Sequence, residues 1–189
     1  MRYALVVLAT LAVLGLLALV FPYTGLYNVA ATAGHTDFAQ WYLDTTSERS
    51  IRVRADDLRT DTAPVDLADS ARVARGAAAY AGMCQVCHGA PGHDRGVIGQ
   101  GMTPTPPRLS EEAAEWDPGE VHWILAHGIK MAGMPAFGPT HSDEELWEIV
   151  AFVEQLSGMT PEEYEALTAS PDAEGAAAPP AGHDHDHTH

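Results

Sequence analysis

The strongest constraint on this chain is the placement of its cysteines. The 189 residues contain two, Cys84 and Cys87, and His88 follows directly after the second. A thioredoxin-like redox pair needs a βαβ context, and the sequence shows no alternating strand pattern. A structural zinc site needs four ligands, of which one C-x-x-C pair supplies two. A disulfide across so short a loop stabilises little, because the stabilisation grows with loop length.

The fourth interpretation is covalent attachment of haem, for which C-x-x-C-H is the recognised signature. Each thiol adds to one vinyl group of the haem, and the adjacent imidazole lies where it can reach the iron. The sequence therefore predicts one haem c, with Cys84 and Cys87 as the covalent attachment residues and His88 as an axial ligand of the iron.

The N-terminus carries a long uncharged segment. Residues 3–21 contain no charged side chain, and Arg2 stands just before them. About 20 apolar residues form a helix of roughly 30 Å, which crosses the hydrocarbon core of a bilayer. The alternative is a cleaved signal peptide, whose apolar region is usually shorter, about 7–15 residues. We expect residues 1–24 to be a single-pass anchor in the cytoplasmic membrane, with the rest of the chain in the periplasm.

The remaining chain divides into three parts. Residues 25–64 are predicted to be a juxtamembrane periplasmic segment, residues 65–158 a compact domain, and residues 159–189 a disordered acidic tail rich in histidine. The tail alternates histidine with aspartate near its end, a pattern that can bind copper, zinc or nickel ions. Its candidate metal ligands are His183, His185, His187 and His189.

The compact domain is predicted to be all-α. Residues 66–83 form an alanine-rich helical segment that ends at the cysteines. Asp117 with Glu120, and Ser142 with Glu145, have the spacing of capping boxes that start two further helices. After the second box the apolar residues fall at helical spacing and predict one buried face: Leu146, Ile149, Val150, Val153 and Leu156.

Several motifs together resemble the class I c-type cytochromes, in their membrane-anchored bacterial mono-haem form. RGAAAY precedes CQVCHG, and MPAFG and SDEELWEIVAFVEQL follow, in the order that this family shows. The similarity covers residues 65–158 and implies a small cytochrome c fold of a few helices around one covalently bound haem. It also implies that Gly76 and Tyr80 of the first helix pack against Ile149 and Phe152 of the last.

The second axial ligand decides between electron transfer and ligand chemistry. Water, a histidine and three methionines are open alternatives. Among the methionines, Met134 precedes a proline in a Gly-Met-Pro loop, as the ligand of the family does, whereas Met102 and Met131 do not. We expect Met134 to be the ligand. The resemblance also implies that the proline-rich residues 104–107 offer a backbone carbonyl to the imidazole of His88.

The formal net charge of −16 lies mostly beyond residue 64 and offers no basic stripe for nucleic acid. His/Met ligation leaves no vacant iron site, so we expect a one-electron carrier between membrane respiratory components rather than an enzyme by itself. The alternatives are a fixed cytochrome subunit of a larger dehydrogenase or haem-copper oxidase complex, and a metal-binding or haem-sensor protein. A flexible segment over residues 25–64 favours a shuttle, and a packed one favours the subunit.

Overall fold

A computed structural model describes residues 2–58 and 63–169. The chain separates into two compact units, Met1–Gly34 and His35–His189. The four predicted metal ligands of the tail lie outside the described residues.

The first unit is an apolar helix. Helix α1 spans Arg2–Val20, and a 3₁₀ turn over Phe21–Thr24 follows it and ends at Gly25 in the left-handed conformation. An 18-residue stretch within Arg2–Thr24 has a mean hydropathy of 2.9, and none of that stretch is buried. It is therefore long and apolar enough to cross a bilayer, a property that a signal sequence shares.

The second unit is helical throughout its described part, and no β-strand occurs in residues 63–169 or in residues 35–58. The predicted all-α fold is confirmed. The helices are α2 (Asp37–Arg54), α3 (Ser70–Met83), α4 (Gln85–His88), α5 (Val97–Gln100), α6 (Leu109–Glu112), α7 (Pro118–His127), α8 (Asp143–Leu156) and α9 (Pro161–Thr168).

Local capping fixes where the main helices begin. Both predicted capping boxes form, with Asp117 at the start of α7 and Ser142 at the start of α8. Helix α3 begins four residues later than the sequence predicted. The reason is Asp69, whose side chain accepts a hydrogen bond from the backbone N–H of Arg72 at 2.8 Å and so acts as the N-cap.

The core is built where α3 crosses α8. The predicted apolar face of α8 is buried as expected, and the Tyr80 ring lies 5.2 Å from the ring of Phe152. A Cβ atom at Gly76 would collide with the backbone carbonyl of Glu148, so the two helices touch at this glycine. Beside the crossing, Arg75 Nε donates to Glu148 Oε1 at 2.6 Å. The contact of Gly76 and Tyr80 with the last helix is thus confirmed.

The predicted juxtamembrane segment contains a long helix. Residues 37–54 form the continuous helix α2, and Ile51 and Ala55 at its end are buried. The Arg52 guanidinium lies 3.9 Å from Glu120 of α7 and 5.8 Å from the centre of the Trp116 ring. The end of α2 therefore packs against α7, so residues on the two sides of the boundary predicted at residue 64 are in contact.

The prediction of a disordered tail from residue 159 is wrong for its first part. Helix α9 begins with a capping box in which Thr160 and Glu163 exchange hydrogen bonds. Tyr164 is buried and packs near Phe152, with 6.1 Å between the ring centres. Leu167 of the same helix also packs against the core, so α9 is docked on the domain by its apolar side.

Two glycines of α3 test the helix crossing. Gly76→Ala should lower the free energy of unfolding by about 1–3 kcal/mol, because the added methyl group has no room beside Glu148. Gly82→Ala, in the same helix with no atom within 4 Å, should leave stability unchanged or raise it by up to about 1 kcal/mol. Chemical denaturation in detergent measures both changes. Equal effects of the two substitutions would contradict the close crossing.

Candidate functional site

The two cysteines and the histidine form one tight turn at the end of α3. The backbone N–H of Cys84 still donates to Tyr80, and the N–H groups of Cys87 and His88 both donate to the carbonyl of Cys84. Gly89 then leaves the turn with φ of +72°, a conformation that glycine adopts without strain. The spacing C-x-x-C-H therefore places all three functional side chains within little more than one helical turn.

Neighbouring segments hold this turn from outside. The buried Tyr80 hydroxyl donates to the carbonyl of Gly89 at 2.7 Å, just after the histidine. The N–H of Gly96 donates to the carbonyl of Val86 at 3.0 Å. A Cβ atom at Gly99 would collide with the backbone of Cys87, so α5 lies directly against the turn. These contacts fix the backbone that carries the three side chains.

The chemical state of the cysteines argues against a redox role. No disulfide joins the two residues, and Cys84 is buried. Burial raises the pKa of the Cys84 thiol to about 12, with a smaller contribution from Cys87. The thiolate is the reactive form of cysteine, so a redox or nucleophilic cysteine needs a lowered pKa. Cys84 in the folded chain has the opposite property.

His88 is oriented by the proline-rich loop. Its Nδ1 lies 2.9 Å from the backbone carbonyl of Pro107, which identifies the acceptor that the sequence could not name. Because a carbonyl only accepts, the proton is assigned to Nδ1, and Nε2 keeps its lone pair for a metal. Burial lowers the pKa of His88, which favours the neutral imidazole that ligates iron.

Met134 lies on a loop that is closed against the end of α7. The N–H of Ile129 donates to the carbonyl of Met134 at 3.1 Å. After the methionine, Phe137 and Gly138 donate to the last carbonyls of α7, which have no partner within the helix. Hydrogen bonds therefore hold the loop on both sides of Met134.

These side chains share the wall of one cavity of about 360 Å³. That volume is typical of a small-molecule or cofactor site. The cavity wall contains Cys84, Cys87, His88 and Met134, and the rest is almost entirely apolar. The main apolar contributors come from several helices and from the loops between them: Met83, Met102, Pro104, Pro106, Pro107, Leu109, Trp116, Val121, Ile124, Leu125, Ile129, Phe137 and Val153.

The structure separates the three candidate methionines. Met131 is 95% exposed, has a φ of +66° and does not line the cavity. Met102 does line it, and a Cβ atom at Gly133 would lie 2.5 Å from its terminal methyl group. Of the three candidates, Met134 and Met102 therefore lie at the cavity, and Met102 packs against the loop that carries Met134.

The histidines that competed for the iron lie elsewhere. His122 is buried and stacks on Trp147 with 4.3 Å between the ring centres. His127 stacks on Trp123 in the same way at 4.6 Å. His93 Nε2 lies 2.7 Å from Glu165. None of the three lines the cavity, and no group of three metal-ligating side chains occurs in the described residues.

The residues fit a haem. An apolar cavity bounded by two free thiols, a neutral imidazole and a thioether supplies the attachment and donor atoms that a haem c uses. A comparison with family models supports a c-type cytochrome domain in this part of the chain, and such a domain implies haem-based electron transfer. Residues 71–153, somewhat less than half of the chain, match the family model described as cytochrome c oxidase, cbb3-type, subunit III. A comparison with curated proteins finds no match.

Sequence reasoning missed one residue that supports the site. The Tyr164 hydroxyl of α9 donates to Gln85 Oε1 at 2.7 Å, inside the C-x-x-C-H turn. Burial raises the pKa of Tyr164 to about 12, so the hydroxyl keeps its proton at neutral pH. Pro161 of the same helix touches Gly92, just after the turn. The only signal in the sequence is the Thr160–Glu163 capping box.

Variants of Tyr164 test whether α9 stabilises the attachment turn. Tyr164→Ala should lower the free energy of unfolding by about 3–5 kcal/mol. It should also speed hydrogen exchange at the amides of Cys87, His88 and Gly89. Tyr164→Phe keeps the ring and should lower the free energy of unfolding by only about 1 kcal/mol, the contribution of the lost hydrogen bond. Unchanged exchange at these amides in the alanine variant would show that α9 plays no part in holding the turn.

Proposed function

We propose that this protein is a one-electron carrier that holds one haem c covalently through Cys84 and Cys87. The proposal rests on the cavity, which brings both thiols together with the His88 imidazole and the Met134 thioether. When bound, the haem supplies an iron that changes between the ferrous and ferric states. The residues of the chain attach it, orient it and exclude water from it.

His88 and Met134 are the proposed axial ligands of the iron. The hydrogen bond from Nδ1 to Pro107 fixes the ring orientation and leaves Nε2 for the iron. Met134 is favoured over Met102 because its loop is held by hydrogen bonds on both sides. A thioether ligand raises the reduction potential, and a fixed ligand pair limits the rearrangement that accompanies each change of charge.

Electron transfer without substrate chemistry follows from this ligand pair. With both axial positions filled by protein side chains, no position remains for a substrate at the iron. We therefore propose a carrier, or a non-catalytic subunit of an oxidoreductase complex, rather than an enzyme by itself. The acidic character of the chain, net charge −16, favours redox partners with a basic docking surface.

The proposed location is the cytoplasmic membrane, with α1 as a single-pass anchor and the haem domain in the periplasm. The uncharged length of Arg2–Thr24 supports the anchor, and Arg2 at its start supports an inside N-terminus. The partners are then redox proteins in or at the membrane.

A fixed subunit is favoured over a freely moving shuttle by one observation. Helix α2 is not a flexible tether, because Ile51 and Ala55 are buried and Arg52 reaches Glu120. The matched family model is named for a subunit of an oxidase and agrees with this assignment. In a native gel stained for haem after mild detergent extraction, a fixed subunit migrates with its complex, whereas a shuttle migrates alone.

A second binding function is proposed for the tail on sequence grounds. His183, His185, His187 and His189 alternate with acidic or polar residues and can bind a divalent metal ion. The tail is separated from the haem domain by an alanine- and proline-rich stretch, so this binding is expected to leave the haem properties unchanged.

Replacement of the proposed sulfur ligand tests the function. Met134→Ala should leave the haem attached but remove the weak near-infrared band that arises from sulfur bound to ferric iron. The reduction potential should fall, because the thioether stabilises ferrous iron relative to water or nitrogen donors. Carbon monoxide should bind the reduced variant and not the unmodified protein. Absorption spectra and a redox titration measure these changes.

Met102→Ala is the matched control, since Met102 lines the same cavity. It should cost stability without removing the band or opening the iron to carbon monoxide. If Met102→Ala removes the band and Met134→Ala does not, the ligand assignment is wrong. If carbon monoxide binds the unmodified protein readily, a ligand-binding function replaces the electron carrier.

A further inference from the structure

The outward face of α2 is unusually apolar for an acidic protein. Phe38, Trp41 and Tyr42 are 72%, 60% and 58% exposed. Their rings contact one another, with 5.9 Å between the centres of Phe38 and Trp41 and 6.3 Å between those of Phe38 and Tyr42. We call these three residues the aromatic patch. Exposed clusters of large aromatic side chains usually mark a surface that meets a partner or a membrane.

Arg49 and the carboxylates of α2 lie on different sides of the helix. At 3.6 residues per turn, Phe38, Tyr42 and Arg49 follow one another along the side opposite the buried Ile51. The carboxylates of the helix lie toward the Ile51 side; Asp44, for example, accepts from Gln40 Nε2 at 2.8 Å. The outward face of α2 therefore combines aromatic rings with a positive charge, although the whole chain is strongly negative.

We propose that the aromatic patch and Arg49 rest on the lipid headgroups of the membrane that α1 spans. This inference rests on the membrane anchor proposed above. Aromatic side chains prefer the membrane–water interface, and arginine is attracted to anionic headgroups. The face fits a lipid surface on both counts, whereas a net-acidic domain without such a face is repelled by anionic lipid.

The chain connection supports lipid as the occupant. Residues 25–36 join the end of the apolar segment to the start of α2, and even fully extended they span at most about 40 Å. The aromatic patch lies in the first turns of α2, at the end nearest this connection. The anchor thus keeps the patch at high local concentration beside the bilayer, where even weak partitioning is sufficient.

Nitroxide labels on the full-length haem protein test the proposal. Single cysteines are introduced along α2 at positions 38 and 42 of the outward face, at Asp44, and at Leu11 of α1 as an internal reference. The protein is placed alone in vesicles of phosphatidylcholine and anionic phosphatidylglycerol. The spectra are recorded on the reduced protein, because ferric haem would itself relax the labels.

Relaxation by oxygen, which concentrates in lipid, is compared with relaxation by a water-soluble nickel complex. The proposal predicts that the ratio of relaxation by oxygen to relaxation by nickel is higher at positions 38 and 42 than at position 44. The ratio should therefore follow the helical repeat. Arg49→Glu should lower the ratio at position 42. Arg54→Glu, on a different face where Arg54 bonds to Ser50, should leave it unchanged.

The reference label separates the possible failures. If position 11 is in lipid while 38, 42 and 44 are equally accessible to nickel, the proposal is overturned and the aromatic patch is left for a protein partner. If position 11 is itself accessible to nickel, the membrane anchor fails and this inference fails with it. If the label at position 11 is in lipid and the oxygen-to-nickel ratio along α2 follows the helical repeat, both the membrane anchor and this inference are supported.

Discussion

The close crossing of α3 and α8 at Gly76 is the contact on which the site depends. Because glycine lets the α3 backbone reach the carbonyl of Glu148, the last turn of α3 is held at a fixed place over the core. That last turn leads directly into Cys84, so the position of the attachment residues follows from the packing of two helices. The ion pair of Arg75 with Glu148, at 2.6 Å, lies beside the same contact. A side chain at position 76 would separate the helices and displace the turn.

The second side of the cavity has a different origin. Helix α7 packs against α8, and its C-terminal carbonyls accept hydrogen bonds from the loop that carries Met134. The two candidate iron ligands are thus attached to different helices, α3 through the C-x-x-C-H turn and α7 through the loop. Both helices pack on α8, whose side chains are buried along almost its whole length. One helix therefore sets the distance between the two walls of the site.

The features that sequence predicted well are those fixed by residues close together in the chain. The C-x-x-C-H turn, the capping boxes at Asp117 and Ser142, and the buried face of α8 each depend on spacings of a few residues. The Gly76–Phe152 contact is long-range and was predictable only because the motifs resemble a family.

The features that were missed depend on contacts between distant segments. Helix α2 docks through Ile51 near its end. One buried residue does not produce enough apolar periodicity in the sequence to distinguish a packed helix from a juxtamembrane linker. Helix α9 docks through Tyr164, which finds Gln85 far back in the chain. The sequence offered several backbone carbonyls in the proline-rich loop as partners for the His88 imidazole. Only the fold shows that the carbonyl of Pro107 is the one within hydrogen-bond distance.

We propose above all that His88 and Met134 would both ligate the iron of one bound haem c. X-ray absorption at the iron edge of the purified full-length protein measures this coordination directly. The account predicts one sulfur scatterer beside the nitrogens of the porphyrin and of His88, retained in both the oxidised and the reduced protein. An iron surrounded by nitrogen and oxygen alone, or one that loses sulfur on a change of oxidation state, would contradict it.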